Sequence, residues 1–559
     1  MKKAYYFLLL LLLPLLSRAQ EGGAEAYYPS SPKISTTVST FDLPARDQSV
    51  RLAAVSLQGL VNRTKPSIYL NESATRWSMD YYLRRKDVRR VRHYDDIYQL
   101  IADNVAALKG VVVYDPDKPY TINLATNVAG VEERIIAAPS MIPALRKIGL
   151  NDIHDLRDHN FASAADAFAW YMKEYFPRQN HSVLACCYYS QYHDAGRDYL
   201  IEFRLPVFWL PGKQDDDYDP TLEAQIIKLF EQTPPNIPVT GFWPMGPRGY
   251  REYDGVMLGG YYGKFTAASS HAGNYSFHSG VKVSDSVFAK QKANSAPLRT
   301  YSPDKKYVAL IMIESGDAPG YFQYLFMPWQ WEDRARGKVP ISWAVTPALR
   351  YLAPGILRRI YTEATVNDYL FCSISGSGYC YPLIGYGSRT ADPETCVSDY
   401  MQMTVDHMKM LDMQMLGLYT HPRTWNEQDD EIVRRLVAPH PEIRSVISDM
   451  SRIDPIYNTR PNYFVNDATT IHHTATVWLI DDSIKDPRGA ANDKILEDYL
   501  VKEIRDHIGD NRFVQAMFLS WHYSPSRLLQ VVRTLEKEGY EFVTLRDLDN
   551  LYRVSQQKN

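Results

Sequence analysis

Short apolar runs of strand length recur through the second half of the chain, with amphipathic stretches between them. The eight runs are YVALIMI (307–313), VPISWAV (339–345), YLFCSI (369–374), QMLGLY (414–419), IRSVIS (443–448), TATVWLI (474–480), FVQAMFLS (513–520) and EFVTL (541–545). Helical spacing of apolar residues separates several of them, as in VSDYMQMTVDHMKMLDM (397–413). Eight strands over about 250 residues fit a barrel of alternating strands and helices. We therefore predict a C-terminal (β/α) barrel-like domain over residues 299–555.

The first half of the chain predicts several small N-terminal α/β domains ahead of this barrel. SVRLAAVSLQGLVNRT (49–64) has apolar residues at helical spacing, and GVVVYDPD (110–117) is a buried strand ended by a turn. Helix and strand continue to alternate, which favours parallel α/β layers. We predict one domain over residues 34–105 and a second over residues 106–178.

Long loops rich in glycine, proline and aromatic residues distinguish residues 179–298. Two of them are TPPNIPVTGFWPMGPRGY (233–250) and GGYYGKFTAASSHAGNYS (259–276). Loops of this length in a compact domain are usually functional. We predict a third α/β domain here, with long aromatic loops at the edge of a site.

The amino terminus predicts export. Two lysines, an apolar run over Tyr5–Leu13 and a small residue at Ala19 are typical of a cleaved secretory signal peptide. The run is shorter than the roughly 20 apolar residues that a membrane-spanning helix needs. We expect a signal peptide over residues 1–19 and a flexible leader over 20–33. The mature protein is then secreted or periplasmic, with no stable membrane span.

Charge and composition narrow the classes of partner. A formal net charge of -3 gives no basic surface for nucleic acid. The 41 tyrosines, 19 phenylalanines and 10 tryptophans supply rings that can stack on sugars, so a carbohydrate is the favoured partner. Five cysteines are too few for a disulfide framework. Cys372, Cys380 and Cys396 either form one bridge or are buried thiols. No cofactor is predicted.

In a barrel of this kind, functional side chains follow the carboxyl ends of the strands. The candidate catalytic carboxylates are Glu314, Asp317, Asp449 and Asp481, and further candidates for substrate binding are His421, Trp521 and His522. Glycoside hydrolysis needs one carboxylic acid to protonate the leaving oxygen and a second carboxylate as base or nucleophile. Each carboxylate also has a structural alternative, because an acidic residue after a strand often caps the next helix. The histidines can equally be structural.

A metal site is the alternative chemistry. TIHHTA (470–475) places His472 and His473 side by side, and with Asp317 they would form the Asp/His/His ligand set of a metal-dependent deacetylase. Adjacent residues of a strand point to opposite faces, however, and no helix carries histidines four residues apart. Our leading hypothesis therefore includes no metal.

The loop SGSGYCYPLIGYG (375–387) follows the third apolar run and combines glycines with tyrosines. Gly376 and Gly378 permit a sharp turn at the barrel mouth. Tyr379 and Tyr381 then precede a proline that fixes the turn. This pattern predicts an aromatic substrate-binding loop, and the alternative is a tight packing corner.

This loop also carries a resemblance to a known family. Its residues 376–382, GSGYCYP, fit every fixed position of the motif that names the GxGYxYP family. Members of that family are mostly exported bacterial proteins assigned as glycoside hydrolases from their fold. SLQGLVNR (56–63) with PSIYL (66–70) is similar to the family's amino-terminal domain, and residues 110–130 are similar to its next segment.

The resemblance implies small amino-terminal α/β domains and a C-terminal catalytic barrel. It has one departure: the family's first barrel strand ends in an acidic-Gly-Asp-Asn run, whereas Ala318 follows Asp317 here. Any role of that asparagine in binding substrate or metal is therefore missing. The ending LEKEGYEFVTLRDLDNLY (535–552) also resembles polysaccharide deacetylase barrels.

Three hypotheses about function follow from the sequence. The leading one is an exported glycoside hydrolase with Glu314 as general acid, Asp317 beside it, and Asp449 or Asp481 as the second carboxylate. The second is a metal-dependent deacetylase, and the third is a carbohydrate-binding protein without catalysis.

Overall fold

The structure is a computed structural model, and it describes residues 27–189, 196–244, 251–313, 315–419, 427–449, 462–476, 484, 486–508 and 512–557. The strands in this part of the chain form four sheets. Every described strand pair is parallel except one short antiparallel pair in the fourth sheet. The predicted α/β class with parallel sheets is confirmed.

The first two sheets have three strands each. The first, in the order β2-β1-β3, contains β1 (Thr37–Asp42), β2 (Ile68–Asn71) and β3 (Arg90–Tyr94). The second, in the order β5-β4-β6, contains β4 (Gly110–Val113), β5 (Arg134–Ala137) and β6 (Ile153–Asp155). Their helices are α1 (Gln48–Asn62), α2 (Arg76–Arg84), α3 (Ile97–Asp103), α4 (Thr121–Glu132), α5 (Ile142–Lys147) and α6 (Ala164–Glu174). All four residues of β4 are buried, as its apolar sequence predicts.

The third sheet has four strands in the order β10-β9-β7-β8. They are β7 (Leu184–Cys186), β8 (Val207–Phe208), β9 (Ile237–Gly241) and β10 (Lys264–Ala268). The helices are α7 (Arg197–Phe203), α8 (Pro220–Glu231), α9 (Arg251–Tyr261) and α10 (Tyr275–His278). Asp219 caps α8 by accepting from the Thr221 N–H, and Pro220 occupies the first helical position, where its missing N–H costs nothing.

The fourth sheet has nine strands, with β13-β12-β11-β18-β17-β15-β14 in order, β16 antiparallel to β17, and β19 beside β11. They are β11 (Lys306–Met312), β12 (Ile341–Ala344), β13 (Asp368–Phe371), β14 (Met415–Tyr419), β15 (Ser445–Asp449), β16 (Tyr463–Phe464), β17 (Thr470–Thr476), β18 (Phe513–Met517) and β19 (Tyr540–Phe542). The helices are α11 (Pro319–Tyr321), α12 (Leu349–Leu352), α13 (Pro354–Glu363), α14 (Pro393–Met410), α15 (Glu427–Val437), α16 (Asp493–Ile508), α17 (Pro525–Glu536) and α18 (Leu545–Gln557). A π-helix over Phe322–Trp331 continues α11.

The two ends of this strand order lie against each other. Cys372, the residue after β13, forms a parallel bridge with Leu416 of β14. The Cys372 N–H donates to the Met415 carbonyl (3.0 Å), and the Gly417 N–H donates to the Cys372 carbonyl (2.9 Å). The strands β11 to β15, β17 and β18 therefore follow one another in chain order across the sheet.

The amino-terminal sheets are not isolated from one another. Helix α1 packs against α7, a helix that accompanies the third sheet, and against β5 of the second sheet. The end of the predicted leader also packs: Tyr28 is buried and its ring stacks on Tyr351 at 5.4 Å, while the Ser31 hydroxyl donates to Glu202. These contacts differ from the flexible segment expected from composition, because two side chains find buried partners far along the chain. The domain boundaries stay predictions.

Two further observations concern the whole described chain. The five cysteines are buried, and none forms a disulfide. Among the described residues, no helix is both long and apolar enough to cross a membrane.

Candidate active site

A cavity of about 520 Å³ lies where the carboxyl ends of the third and fourth sheets face each other. We call it the interdomain cavity. Its wall from the third sheet consists of Phe242, Glu252, Ala268, Ser270 and His271. Its wall from the fourth sheet consists of Ser315, Asp317, Ala318, Tyr321, Tyr324, Ile374, Tyr379, Tyr419 and Trp521. Cavities of 300–1,000 Å³ with a few polar groups among apolar ones are typical of small-molecule sites.

Asp317 is the carboxylate of the fourth-sheet wall. It lies in a tight turn directly after β11, in which the Gly316 N–H donates to the Ile313 carbonyl (2.9 Å). A Cβ on Gly316 would be 2.4 Å from the Ala344 Cβ, so the turn needs a glycine to pack against β12. Asp317 itself is only 5% exposed. The turn therefore fixes this carboxylate at the edge of the cavity.

The third-sheet wall supplies two ionisable groups that the sequence analysis did not select. Glu252 lies in the first turn of α9. His271 follows β10 with φ +60 and its ring lies 5.1 Å from that of Tyr324. Glu252 follows the first of the long aromatic loops that were predicted to border a site, and His271 lies within the second; this was the available signal. Their approach to Asp317 depends on how two domains pack, which one sequence does not reveal.

Aromatic rings form most of the remaining wall. The Trp521 ring lies 5.1 Å from that of Tyr321 and 6.1 Å from that of Tyr324. On the other side, Tyr379 meets Tyr419 edge to face at 5.4 Å. These packed rings are held in place by one another, so they present a preorganised surface on which a sugar can stack. Trp521 and Tyr379, both predicted to bind substrate, line the cavity.

The glycine–tyrosine motif connects the two sheets. The Thr266 N–H of β10 donates to the Tyr379 carbonyl (2.8 Å), and the Tyr379 N–H donates to the Thr266 carbonyl (2.7 Å). Gly378 packs where a Cβ would be 2.5 Å from the Phe265 Cδ2. Gly376 has φ +109, and a Cβ there would be 2.4 Å from the Thr404 Oγ1.

The side chains of the motif are buried. Tyr379 is 2% exposed, and its hydroxyl hydrogen-bonds to that of Tyr381 at 2.8 Å. Gly376, Gly378 and Tyr381 do not line the interdomain cavity. The loop therefore combines the two interpretations of its sequence: a packing corner, with Tyr379 facing the site.

The other predicted site residues have different placements. His522 is half-buried next to the cavity-lining Trp521 but does not line the cavity, and burial together with the charge of Arg527 lowers the pKa of its imidazole. Asp449 ends β15, but its side chain is not among those described. Glu314, His421 and Asp481 lie outside the described residues.

His472, the candidate metal ligand, is fully buried and engaged elsewhere. Its Nε2 lies 3.0 Å from Oδ1 of Asp549 on α18, and its Nδ1 is 3.3 Å from the Gln515 amide. Burial alone raises the pKa of Asp549, but the His472 hydrogen bond and the charges of His472, Arg553 and Arg444 hold that pKa below its usual range. His472 does not line the interdomain cavity with Asp317. In the described part of the chain, no three His, Cys, Asp or Glu side chains group to hold a metal ion.

Comparison with known proteins places this architecture in a family. Residues 108–179 match the "GxGYxYP_N second domain", residues 181–280 the "GxGYxYP third domain", and residues 304–553 the "GxGYxYP putative glycoside hydrolase C-terminal domain". A crystal structure described as a putative hydrolase from Bacteroides thetaiotaomicron VPI-5482 has a similar fold, with a TM-score of 0.76 at 15% sequence identity. That likeness covers 94% of this chain and 96% of the other. No curated protein matches the sequence significantly. Because the three domain matches cover most of its length, the chain belongs to the GxGYxYP family.

Proposed function

We propose that the protein is an exported glycoside hydrolase that cleaves a poly- or oligosaccharide in the interdomain cavity. One observation carries the proposal: Asp317 and Glu252 line the same cavity, among six aromatic rings. Paired carboxylates and flat apolar surfaces are what glycosidic cleavage and sugar binding require. The description of the C-terminal family domain and the name of the structural neighbour support a hydrolase.

The two carboxyl groups have different roles in cleaving the glycosidic bond. One donates a proton to the glycosidic oxygen as the bond to the anomeric carbon breaks, while the other attacks that carbon or activates a water molecule. Asp317 is held by the turn after β11, and Glu252 is brought to it from α9. The third domain thus completes the site instead of only binding the glycan. Glu314, Asp449 and Asp481 remain candidate carboxylates, so their amide variants belong in the same series.

The proposed barrel supports this placement. If the Cys372–Leu416 bridge closes the sheet, the strands form a ring whose carboxyl ends open toward the third sheet. Enzymes with parallel barrels use this end for catalysis. Asp317, Tyr379, Tyr419 and Trp521 all follow or end strands there, as such a site requires.

Release of reducing sugar and of acetate from plant, host and bacterial glycans tests the proposal. We expect sugar release by the wild type and a loss of about 10²- to 10⁴-fold in kcat for Asp317→Asn and for Glu252→Gln. The matched controls are Asp304→Asn and Glu231→Gln, which change exposed carboxylates of the same two regions. These controls should keep wild-type activity, which separates loss of a reacting group from loss of charge.

Each other result assigns a different function. Acetate release that depends on Asp317 indicates a deacetylase, and glycan binding without any product indicates a binding protein. Sugar release that both amide variants retain would show that the interdomain cavity is not the active site. In a retaining enzyme, added azide then separates the two roles by the configuration of the glycosyl azide formed: azide gives the inverted product when it replaces a missing nucleophile, and the retained product when it replaces water in the variant that lacks the acid/base residue.

A further inference from the structure

A second cavity, of about 320 Å³, adjoins the interdomain cavity. The two share a wall made of His271 and Tyr324, whose rings lie 5.1 Å apart. The opposite wall comes from the first domain. Leu43 follows β1, Leu70 ends the buried part of β2, and Gln58 lies on α1. The second cavity therefore lies at the carboxyl ends of parallel strands, where ligands of open α/β sheets bind.

Two buried side chains that line this cavity each have one oxygen to which no described group donates a hydrogen bond. Asp198 is 1% exposed; its Oδ2 accepts from the N–H and hydroxyl of Ser276, whereas its Oδ1 has no hydrogen-bond partner among the described residues. Gln58 is also 1% exposed; its amide donates to Asn274 and to the Ile68 carbonyl, whereas its Oε1 has no such partner. Buried polar atoms are nearly always hydrogen-bonded, so two such oxygens at one cavity need an explanation.

The unused oxygens have defined orientations. The Ser276 bonds fix the Asp198 carboxyl, and the Asn274 and Ile68 bonds fix the Gln58 amide. Both oxygens accept and cannot donate as they stand, so the missing ligand has to supply hydroxyl or amino hydrogens. At the rim, Arg51 pairs with Glu72, which places two charged groups beside the cavity. A polyhydroxylated ligand matches this set of groups, whereas an apolar one leaves the buried oxygens unpaired.

We propose that the second cavity is a distal subsite that binds a further sugar unit of the glycan chain held in the interdomain cavity. The unit donates hydroxyl or amino hydrogens to Asp198 and Gln58, and the chain passes over His271 and Tyr324. This inference rests on the proposed function, because it takes the glycan of that site as the ligand. It gives the first domain a role in selecting chain length.

An array of immobilised oligosaccharides of one to six units, from plant, host and bacterial glycans, tests this subsite. The full chain carrying Asp317→Asn is applied, so that bound glycans are not cleaved. We expect members of four or more units to bind about tenfold more tightly than the disaccharide of the same series. Two changes should each remove most of that gain: Asp198→Asn, which presents a donor in place of an acceptor, and Ala74→Leu, which fills the cavity from an exposed position.

Both variants have matched controls. Glu202→Gln neutralises another buried carboxylate of α7 that does not line the cavity. Ser73→Leu adds the same side chain one residue away in the same turn, where it does not line the cavity. Both control variants should keep the gain in affinity with oligosaccharide length that the Asp317→Asn protein shows. Ala74→Leu keeps the test decisive if Asp198→Asn does not fold, because Ala74 is exposed.

The outcomes separate this inference from the proposed function. A gain with chain length that survives Asp198→Asn and Ala74→Leu overturns the subsite, as does the absence of binding at any length, whatever the enzyme cleaves. A gain that these variants remove, in a protein that hydrolyses no glycan, retains the subsite and rejects the hydrolase.

Discussion

The Asp198 carboxyl is charged at neutral pH at a cost to the folded state. Burial raises its pKa from an ordinary value of 3.8 to about 6, against the opposing effect of the Ser276 hydrogen bonds. Between about pH 4 and pH 6 the folded state therefore holds the proton that the unfolded state releases. The free energy of unfolding falls as the pH rises through this window and stays lower above it.

We predict that Asp198→Asn stabilises the protein at pH 7.5 and does so much less at pH 4.5. One pKa unit corresponds to about 1.36 kcal/mol, so the gain at pH 7.5 is roughly 3 kcal/mol. Thermal unfolding at the two pH values measures it, with the exposed Glu231→Gln as a control that should show no such difference. A variant that loses stability equally at both pH values contradicts the prediction.

The candidate site was predictable residue by residue only in part. Asp317, Tyr379 and Trp521 follow recognisable strands, and the ends of parallel strands meet at one edge, so their convergence was a reasonable expectation. Glu252 and His271 lie in another domain, and only the packing of two sheets brings them close. The unpartnered oxygen of Asp198 was equally hidden, because the residue occurs in an ordinary helical stretch.

Strand β10 is joined to the loop after β13 by a pair of backbone hydrogen bonds between Thr266 and Tyr379, next to Gly378. A methyl group on Gly378 would lie 2.5 Å from the Phe265 Cδ2 and 2.8 Å from the Thr266 carbonyl. Such contacts force the two segments apart, and overpacking of this kind typically costs about 1–3 kcal/mol. Because His271 follows β10, the separation would also shift one wall of the interdomain cavity.

We predict that Gly378→Ala increases amide hydrogen exchange in β10 and in residues 375–381. The same substitution should lower the rate of glycan hydrolysis. Peptide-level exchange measured by mass spectrometry detects the change. Gly260→Ala is the control, because its added methyl group in helix α9 would meet only the Tyr386 Cδ2, at an ordinary contact distance of 3.7 Å. Unchanged exchange in β10 would show that this bridge does not hold the domains together.

The positions of the strands of the fourth sheet were largely readable from the sequence, because buried parallel strands are continuous apolar runs. QMLGLY, over residues 414–419, corresponds to β14 almost residue for residue. The sixth run was placed at 474–480, whereas β17 begins at Thr470. Its first half contains two buried polar residues, Thr470 and His472, of which His472 pairs with Asp549 on α18. Apolar content alone therefore could not mark the start of the strand.

At the scale of the whole molecule, both polar and apolar contacts join the domains. The Trp77 indole N–H donates to the Gln323 carbonyl (2.9 Å), which joins the first domain to the fourth sheet. Arg358 pairs with Asp87 across the same boundary. One continuous set of buried apolar residues extends from Phe41 in the first sheet to Tyr552 in α18. Large apolar interfaces of this kind hold domains in fixed positions.

We therefore predict that the protein unfolds in one cooperative step, although its chain forms four sheets. Urea titrations followed by tryptophan fluorescence and by far-UV circular dichroism should give coincident transitions. Arg358→Ala removes one contact between the first and fourth sheets, and it should lower the common midpoint without separating the two probes. Separate transitions in the wild type would mean that the domains move independently. In that case the interdomain cavity would be open in part of the population, and catalysis by Asp317 with Glu252 would depend on docking of the third domain.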